Sequence, residues 1–239
     1  MTREDKMTEE LDAIAFDAGG TLIDLSPSKE EVFYEVMHRN GFLGTRESVT
    51  RAITLAERVY DEESASLDGN NEIAFWHRYD KFVFNEVGFK GDLATLSKDL
   101  GDSFEEIVQK VGSWYVYPDV VPLLEDLKKR DFKLGIISNA TDLLNKVLDN
   151  LALTKYFDFV VISAQVGSRK PSKDIFRIAG KKAKTPLSRM LYVGDRYTID
   201  VLGAKRAGMQ ALLLDRYNVY SDIDCLKAND LNYLRRFLA

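Results

Sequence analysis

Four separated stretches of the chain carry side chains that could act together on an anion. They are Asp17 in AIAFDAGGTLID, Ser138 with Asn139 in IISNA, Lys170 in GSRKPSKDIF, and Asp195 with Asp200 in GDRYTID. Carboxylates brought face to face repel one another unless a cation stands among them, so such a set suits a hard metal ion, an ammonium group, or both. Gly19 and Gly20 allow the chain after Asp17 to turn tightly and present bare main-chain N–H groups, and Thr21 adds a hydroxyl. Each stretch also has a plain reading. Asp17 is then a loop acid, Asp195 and Asp200 steady the start of a helix, Ser138-Asn139 caps one, and Lys170 is solvated. The chemical reading rests on convergence, because the groups share one kind of address, the ends of apolar runs.

Those runs are residues 13–16, 133–137, 159–162, 190–193 and 211–214. Continuous rather than alternating hydrophobicity is the mark of strands covered on both faces by helices. Between them, Val120, Val121, Leu123, Leu124 and Leu127 recur at helical spacing, as do Leu143, Leu144, Val147, Leu148 and Leu151. Ser172, with Asp174 behind it, predicts an N-cap for a helix through Ala179. Strands alternating with helices imply an α/β fold, with a parallel sheet between two helical layers. Ligands of such sheets bind beyond the carboxyl ends of the strands. Asp17, Ser138-Asn139 and Gly194-Asp195 each follow an apolar run, and Lys170 precedes the capped helix.

From Ser26 to about Tyr117 the rhythm breaks. Helical patterning around residues 32–37, 53–59 and 75–83 comes with no convincing buried strand, which predicts an inserted helical module. Ser26-Pro27 and Tyr117-Pro118 mark its edges and suit a pair of hinge strands. The expected division is a core of 1–25 and 117–239 around a cap of 26–116. The 239 residues carry 33 Lys+Arg against 38 Asp+Glu, a net charge of -5 without a basic block, which argues against a nucleic-acid surface. One cysteine, Cys225, cannot staple the chain. The charge-alternating start and the strand-length apolar runs give no signal or membrane segment, so a cytoplasmic protein is expected.

Taken in order, DAGGTLID, IISNA, GSRKPSKDIF and YVGDRYTIDVLGAKRAGM resemble the four signature motifs of the haloacid dehalogenase superfamily of phosphohydrolases. The likeness runs over nearly the whole chain, and the helical insert matches that family's cap in position. It implies a Rossmann-like core under an α-helical cap, a magnesium cofactor and a small phosphorylated substrate. It further implies that Asp17 is the nucleophile and that Thr21, Ser138, Asn139 and Lys170 hold the phosphoryl group. Asp17, the Gly19 carbonyl and Asp195 would bind the metal, with Asp200 supporting its water shell. A carboxylate nucleophile splits a hard displacement into two easier ones, and a hard dication fits carboxylate and carbonyl oxygens.

The chain departs from the pattern at one position. Phosphatases of that family typically carry a second aspartate two residues after the nucleophile, as proton donor to the leaving oxygen, and here it is Gly19. Three readings follow. The first is a magnesium-dependent hydrolase or phosphotransferase that works on a good leaving group or takes its proton donor from substrate, water or cap, with Asp24 a candidate only by proximity in sequence. The second is a carbon-centred member resembling the 2-haloacid dehalogenases or the phosphonoacetaldehyde hydrolases. Asp195 in its Gly-Asp context speaks against the former, and the lack of any lysine from Glu30 to Asp80 against the latter. The third is a binding protein on the same fold. In the cap, His38, Arg39, Arg46, Arg51, His77 and Arg78 could meet an acidic substrate, and Trp76, Tyr79 and Phe82 could stack on a ring, though aromatics at helical spacing are more often core.

Overall fold

β1 (Ala13–Phe16) is fully buried and lies between two parallel neighbours, which puts the residue after it at the centre of the molecule's largest sheet. The computed structural model describes residues 10–67 and 70–238, so the charged start up to Glu9 lies outside the described residues. The remaining strands are β2 (Ile23–Leu25), β3 (Trp114–Val116), β4 (Lys133–Ser138), β5 (Phe159–Ile162), β6 (Met190–Gly194), β7 (Gln210–Leu214) and β8 (Lys227–Ala228). Six of them form one sheet in the order β5-β4-β1-β6-β7-β8, every adjacent pair parallel. Ala15 pairs with Gly135 on one side and Tyr192 on the other. The chain leaves β1 to build β4 on one flank and later β6 on the other. That topological switch point is where open α/β sheets bind ligands.

The apolar runs all become strands, 13–16 and 159–162 with unchanged bounds and the other three with one end moved by a residue. β4 takes in Ser138 because Ser138 pairs with Ile162, β6 takes in Gly194 opposite Leu213, and β7 starts at Gln210. Ser138 and Gly194 are therefore held by strand register rather than by loops. β2 and β3 pair separately as a two-stranded ribbon, at the two points where the proline-marked edges suggested hinge strands.

The chain divides into two compact units. One takes it up to Asp24 and from Tyr115 onward, and the other is Leu25–Trp114. The second unit is helical. α1 (Lys29–Arg39) opens with a reciprocal cap, in which Ser28 Oγ accepts from the Glu31 N–H and the Glu31 carboxylate from the Ser28 N–H. α2 (Arg46–Val59) is capped by Thr45, a single turn α3 (Asp61–Ser64) follows, and then come α4 (Glu72–Glu86) and α5 (Leu93–Gln109), the last capped by Asp92. Their inward faces share one core, including Phe33 and Met37 of α1, Ile53 of α2, Phe75 and Val83 of α4 and Leu96 of α5. At about 1.5–3 kcal/mol for each fully buried large apolar side chain, that core is what holds the helices together.

In the first unit the helices are α6 (Val120–Lys129), α7 (Leu143–Asn150), the short α8 (Ser163–Val166), α9 (Lys173–Ala183), α10 (Gly203–Ala207) and α11 (Leu231–Phe237). α9 is capped by Ser172 and runs one turn beyond Ala179, packing Ile175, Phe176, Ala179 and Ala183 against Ala13, Ala15 and Tyr192 of the sheet. The segment expected to begin a regular helix after Asp195 instead forms a π-helical turn, Tyr197–Leu202. The Arg196 carbonyl accepts from both the Asp200 and Val201 N–H groups, at 2.9 and 3.3 Å. The widened turn lets Asp200 Oδ2 reach back to the Arg196 N–H at 3.0 Å. Among the described residues no helix is long and apolar enough to cross a membrane.

Candidate active site

The sheet register brings Asp17, Ser138, Lys170, Asp195 and Asp200 to one edge of the central strands. Asp17 follows β1, and its N–H donates to Val193 O of β6 at 2.8 Å. Its Oδ1 accepts from the Ala18 N–H at 2.7 Å and lies 2.8 Å from Lys170 Nζ. Lys170 is 2% exposed, and its ammonium also meets Asp200 Oδ1 at 2.7 Å and the Tyr192 hydroxyl at 2.9 Å. The three N–H bonds of that ammonium thus have three partners. Tyr192 in turn donates to the Ile137 carbonyl at 2.8 Å.

Burial pulls the Lys170 ammonium down, but the carboxylates of Asp17 and Asp200 more than reverse this and leave its pKa raised. Burial raises Asp17 despite the pull of Lys170, and burial raises Asp195 well above the usual carboxylate range, with the charges of Asp17 and Asp200 adding to the effect. One oxygen from each of Asp17, Asp195 and Asp200 lies within 4.8 Å of the others. Three carboxylates face a single ammonium, and Asp195 Oδ1 is buried with no hydrogen-bond partner. A buried, unsatisfied carboxylate oxygen is costly unless a cation meets it. The donor set therefore fits a hard divalent ion with oxygen ligands.

Two neighbouring glycines behave differently. Gly20 has φ +73°, and a Cβ there would stand 2.4 Å from Asp195 Oδ2, so the turn admits only glycine. At Gly19 a Cβ would meet nothing within 4 Å. Gly194 is needed for packing, since its Cβ would stand 2.5 Å from the Asp200 carboxyl carbon. Thr21 is fully buried and its hydroxyl has no hydrogen-bond partner. Ser138 is 5% exposed at the tip of β4.

The Asn139 side chain is occupied. Its Nδ2 donates to the Lys170 carbonyl at 2.9 Å and its Oδ1 accepts from the Lys170 N–H at 2.7 Å, a two-bond clamp that fixes the lysine's main chain. Asp24 is occupied as well, accepting from the Tyr117 hydroxyl.

Two groups beyond the expected site residues hold the site in shape. Tyr192 sits in an apolar run and reads there as a core aromatic. The signal that distinguishes it is Ala15 directly opposite on β1, small enough to let the phenol reach Lys170. Arg216, just after β7, forks onto Asp119 at 2.9 and 3.0 Å and donates to the Thr21 carbonyl at 2.9 Å, while its guanidinium lies 4.0 Å over the Tyr117 ring. It pins the turn that follows the first strand. Nothing local in the sequence marks it, because both partners are distant.

In the helical unit, Tyr79 is buried in the core and Phe82 packs against it, while Trp76 is 41% exposed. Arg46 pairs with Glu35 over the Tyr34 ring, Arg78 pairs with Glu63, and His38 stacks on Tyr34. Lys29, the first residue of α1, pairs with Glu57.

A family model described as haloacid dehalogenase-like hydrolase matches residues 11–208. The glyceraldehyde 3-phosphate phosphatase of Methanopyrus kandleri is 34% identical over 116 residues, 48% of this chain and 49% of that protein. Pyrimidine 5'-nucleotidase YjjG of Escherichia coli is 40% identical over 103 residues, 42% of this chain and 45% of that one. The chain spans about half the length of these curated relatives. Among solved structures, the HAD-hydrolase YfnB of Bacillus subtilis shares the fold with a TM-score of 0.67 at 18% identity, over 96% of this chain and 99% of that one. With the matched model running from before β1 to the end of α10, the chain belongs to the haloacid dehalogenase-like hydrolases.

Proposed function

We propose that the protein is a magnesium-dependent hydrolase or phosphotransferase that takes the phosphoryl group of a small phosphorylated metabolite onto Asp17. The observation that carries this is the pairing of Asp17 Oδ1 with Lys170 Nζ at 2.8 Å beside an Asp195 oxygen that has no partner. Lys170 and the Ala18 N–H converge on Oδ1, which leaves Oδ2 as the attacking oxygen. Thr21 and Ser138 offer hydroxyls, and Asn139 its N–H, to the phosphoryl oxygens, while Lys170 neutralises charge as it shifts in the transition state. Asp17, the Gly19 carbonyl and Asp195 would hold the magnesium, with Asp200 supporting its water shell. Bound there, the ion supplies the positive charge that lets an anionic nucleophile approach an anionic substrate. Asp200 has a second duty, holding Lys170 through its Oδ1.

The names of the two curated relatives, a phosphatase of a triose phosphate and a nucleotidase, support a phosphorylated substrate of metabolite size. The test is to mix the protein with magnesium and acetyl phosphate or an aryl phosphate, quench in acid and map phosphate by mass spectrometry. Phosphate on the Asp17 peptide, absent from Asp17→Asn, supports the reading. A protein that turns these compounds over with Asp17 never phosphorylated overturns it.

A further inference from the structure

The chemistry of the Asp17 turn limits what can leave. We propose that the substrates are phosphoryl compounds whose leaving group departs as a stable anion, the acyl phosphate and phosphoanhydride class, rather than alkyl phosphate esters. This rests on the phosphoryl-transfer reading above and narrows it.

Expelling an alkoxide needs a proton in the transition state, and a positioned acid contributes roughly 100- to 10,000-fold. Among the described groups bonded to Asp17, to its turn or to Lys170, those that could give one are committed. Position 19 has no side chain, and the Thr21 hydroxyl that follows is no acid near neutral pH. The Lys170 protons go to Asp17, Asp200 and Tyr192. The Tyr192 proton goes to Ile137 O. Asp24, two residues beyond the turn's end at Leu22, is bonded by the Tyr117 hydroxyl. Asp195 would hold the metal, and Asp200 holds Lys170 and would support the metal's water shell.

Without a donor, the balanced sequence is short. Asp17 Oδ2 bonds to phosphorus as the bond from phosphorus to the leaving oxygen breaks, and that oxygen keeps the electron pair. Water then bonds to the same phosphorus, the bond to Asp17 breaks with its pair returning to the carboxylate, and dihydrogen phosphate leaves with both protons of the water. Because the phosphoryl transition state is loose, charge builds on the leaving oxygen early, and the rate follows how well that oxygen bears it. The open space around a Cβ at position 19 shows that the acid is missing by residue choice and not by steric exclusion.

The experiment is kcat/KM with magnesium for acetyl phosphate, 4-nitrophenyl phosphate, phenyl phosphate and glycerol 3-phosphate, on the wild type, Gly19→Asp and Gly19→Asn. The wild type is expected to fall about 100-fold or more from acetyl phosphate to glycerol 3-phosphate, and Gly19→Asp to raise the glycerol phosphate rate by about 100-fold while Gly19→Asn does not. A wild-type series flat within about threefold overturns the proposal, because an acid is then supplied from elsewhere in the chain. A steep series that Gly19→Asp leaves as steep, with the variant folded by circular dichroism, overturns the assignment to position 19. Release of phosphate from none of the four overturns the phosphoryl-transfer reading itself, and this proposal with it.

Discussion

The ammonium of Lys170 and the carboxylate of Asp17 meet at 2.8 Å, yet their strands of origin are not neighbours in sequence. Asp17 follows the central β1 and Lys170 lies on the turn between α8 and α9, beyond β5 at the sheet's edge, and the Asn139 amide holds the lysine's main chain.

Asp17→Asn removes the proposed nucleophile but also a carboxylate that burial disfavours. Turnover is expected to fall below detection, while the melting temperature stays unchanged or rises. A fall of several degrees in the melting temperature would instead mark Asp17 as a structural partner of Lys170.

On the proposed function, magnesium is expected to bind the folded state and not the unfolded one, and so to raise stability by about 2.7 kcal/mol at a concentration of 100 Kd. Asp195→Asn, which neutralises the carboxylate with the unpartnered oxygen, is expected to lose that gain. Urea unfolding with magnesium and with chelator, on both proteins, reads the difference.

The two adjacent glycines are expected to differ under the same substitution. Gly20→Ala forces a Cβ against Asp195 Oδ2 at a left-handed φ, and activity and the magnesium stabilisation should both collapse, with about 1–3 kcal/mol of stability lost. Gly19→Ala meets nothing within 4 Å and should fold with stability within about 0.5 kcal/mol of wild type or gain slightly. Parallel urea titrations of the pair check this.

Asp80, in α4, has its carboxyl pushed up to about 7 by burial, against the pull of Lys29. Between the unfolded value of 3.8 and about 7 the folded state holds a proton that the unfolded state has released, so stability falls as pH rises through that window. Above it the full penalty applies. Asp80→Asn should therefore stabilise at pH 8 by up to about 4 kcal/mol, a gain that shrinks as the pH drops toward 4. Denaturant midpoints of the two proteins across that range decide it.

The legible part of the molecule was the part written in continuous segments. Five apolar runs gave five strands because a parallel sheet covered on both faces needs uninterrupted hydrophobicity, and Ser172 marked the start of α9 through its hydroxyl. The two-residue β8 is too short to leave a periodic trace, and its place is set by the register of Leu213 with Lys227. The π-helical turn depends on the Asp200 side chain folding back to its own turn, which spacing alone does not reveal. At the site, Asp17, Lys170, Asp195 and Asp200 were readable because charged groups at strand ends stand out. Asn139 shows the limit: the residue was visible, but its amide serves the Lys170 main chain, a pairing made only by the tertiary fold.

The strand order also governs the order of assembly during synthesis. A ribosome releases β1 first, but its two partners, β4 and β6, emerge only after Leu25–Trp114 is complete. That intervening unit has its own apolar core, drawn from residues between Val32 and Ile107. The nascent protein therefore carries a finished helical domain while the strand that bears Asp17 still waits, unpaired, for both of its neighbours. Domains that complete early fold as units. Asp17 is then made well before the residues that come to surround it, and no carboxylate cluster forms until β6 docks.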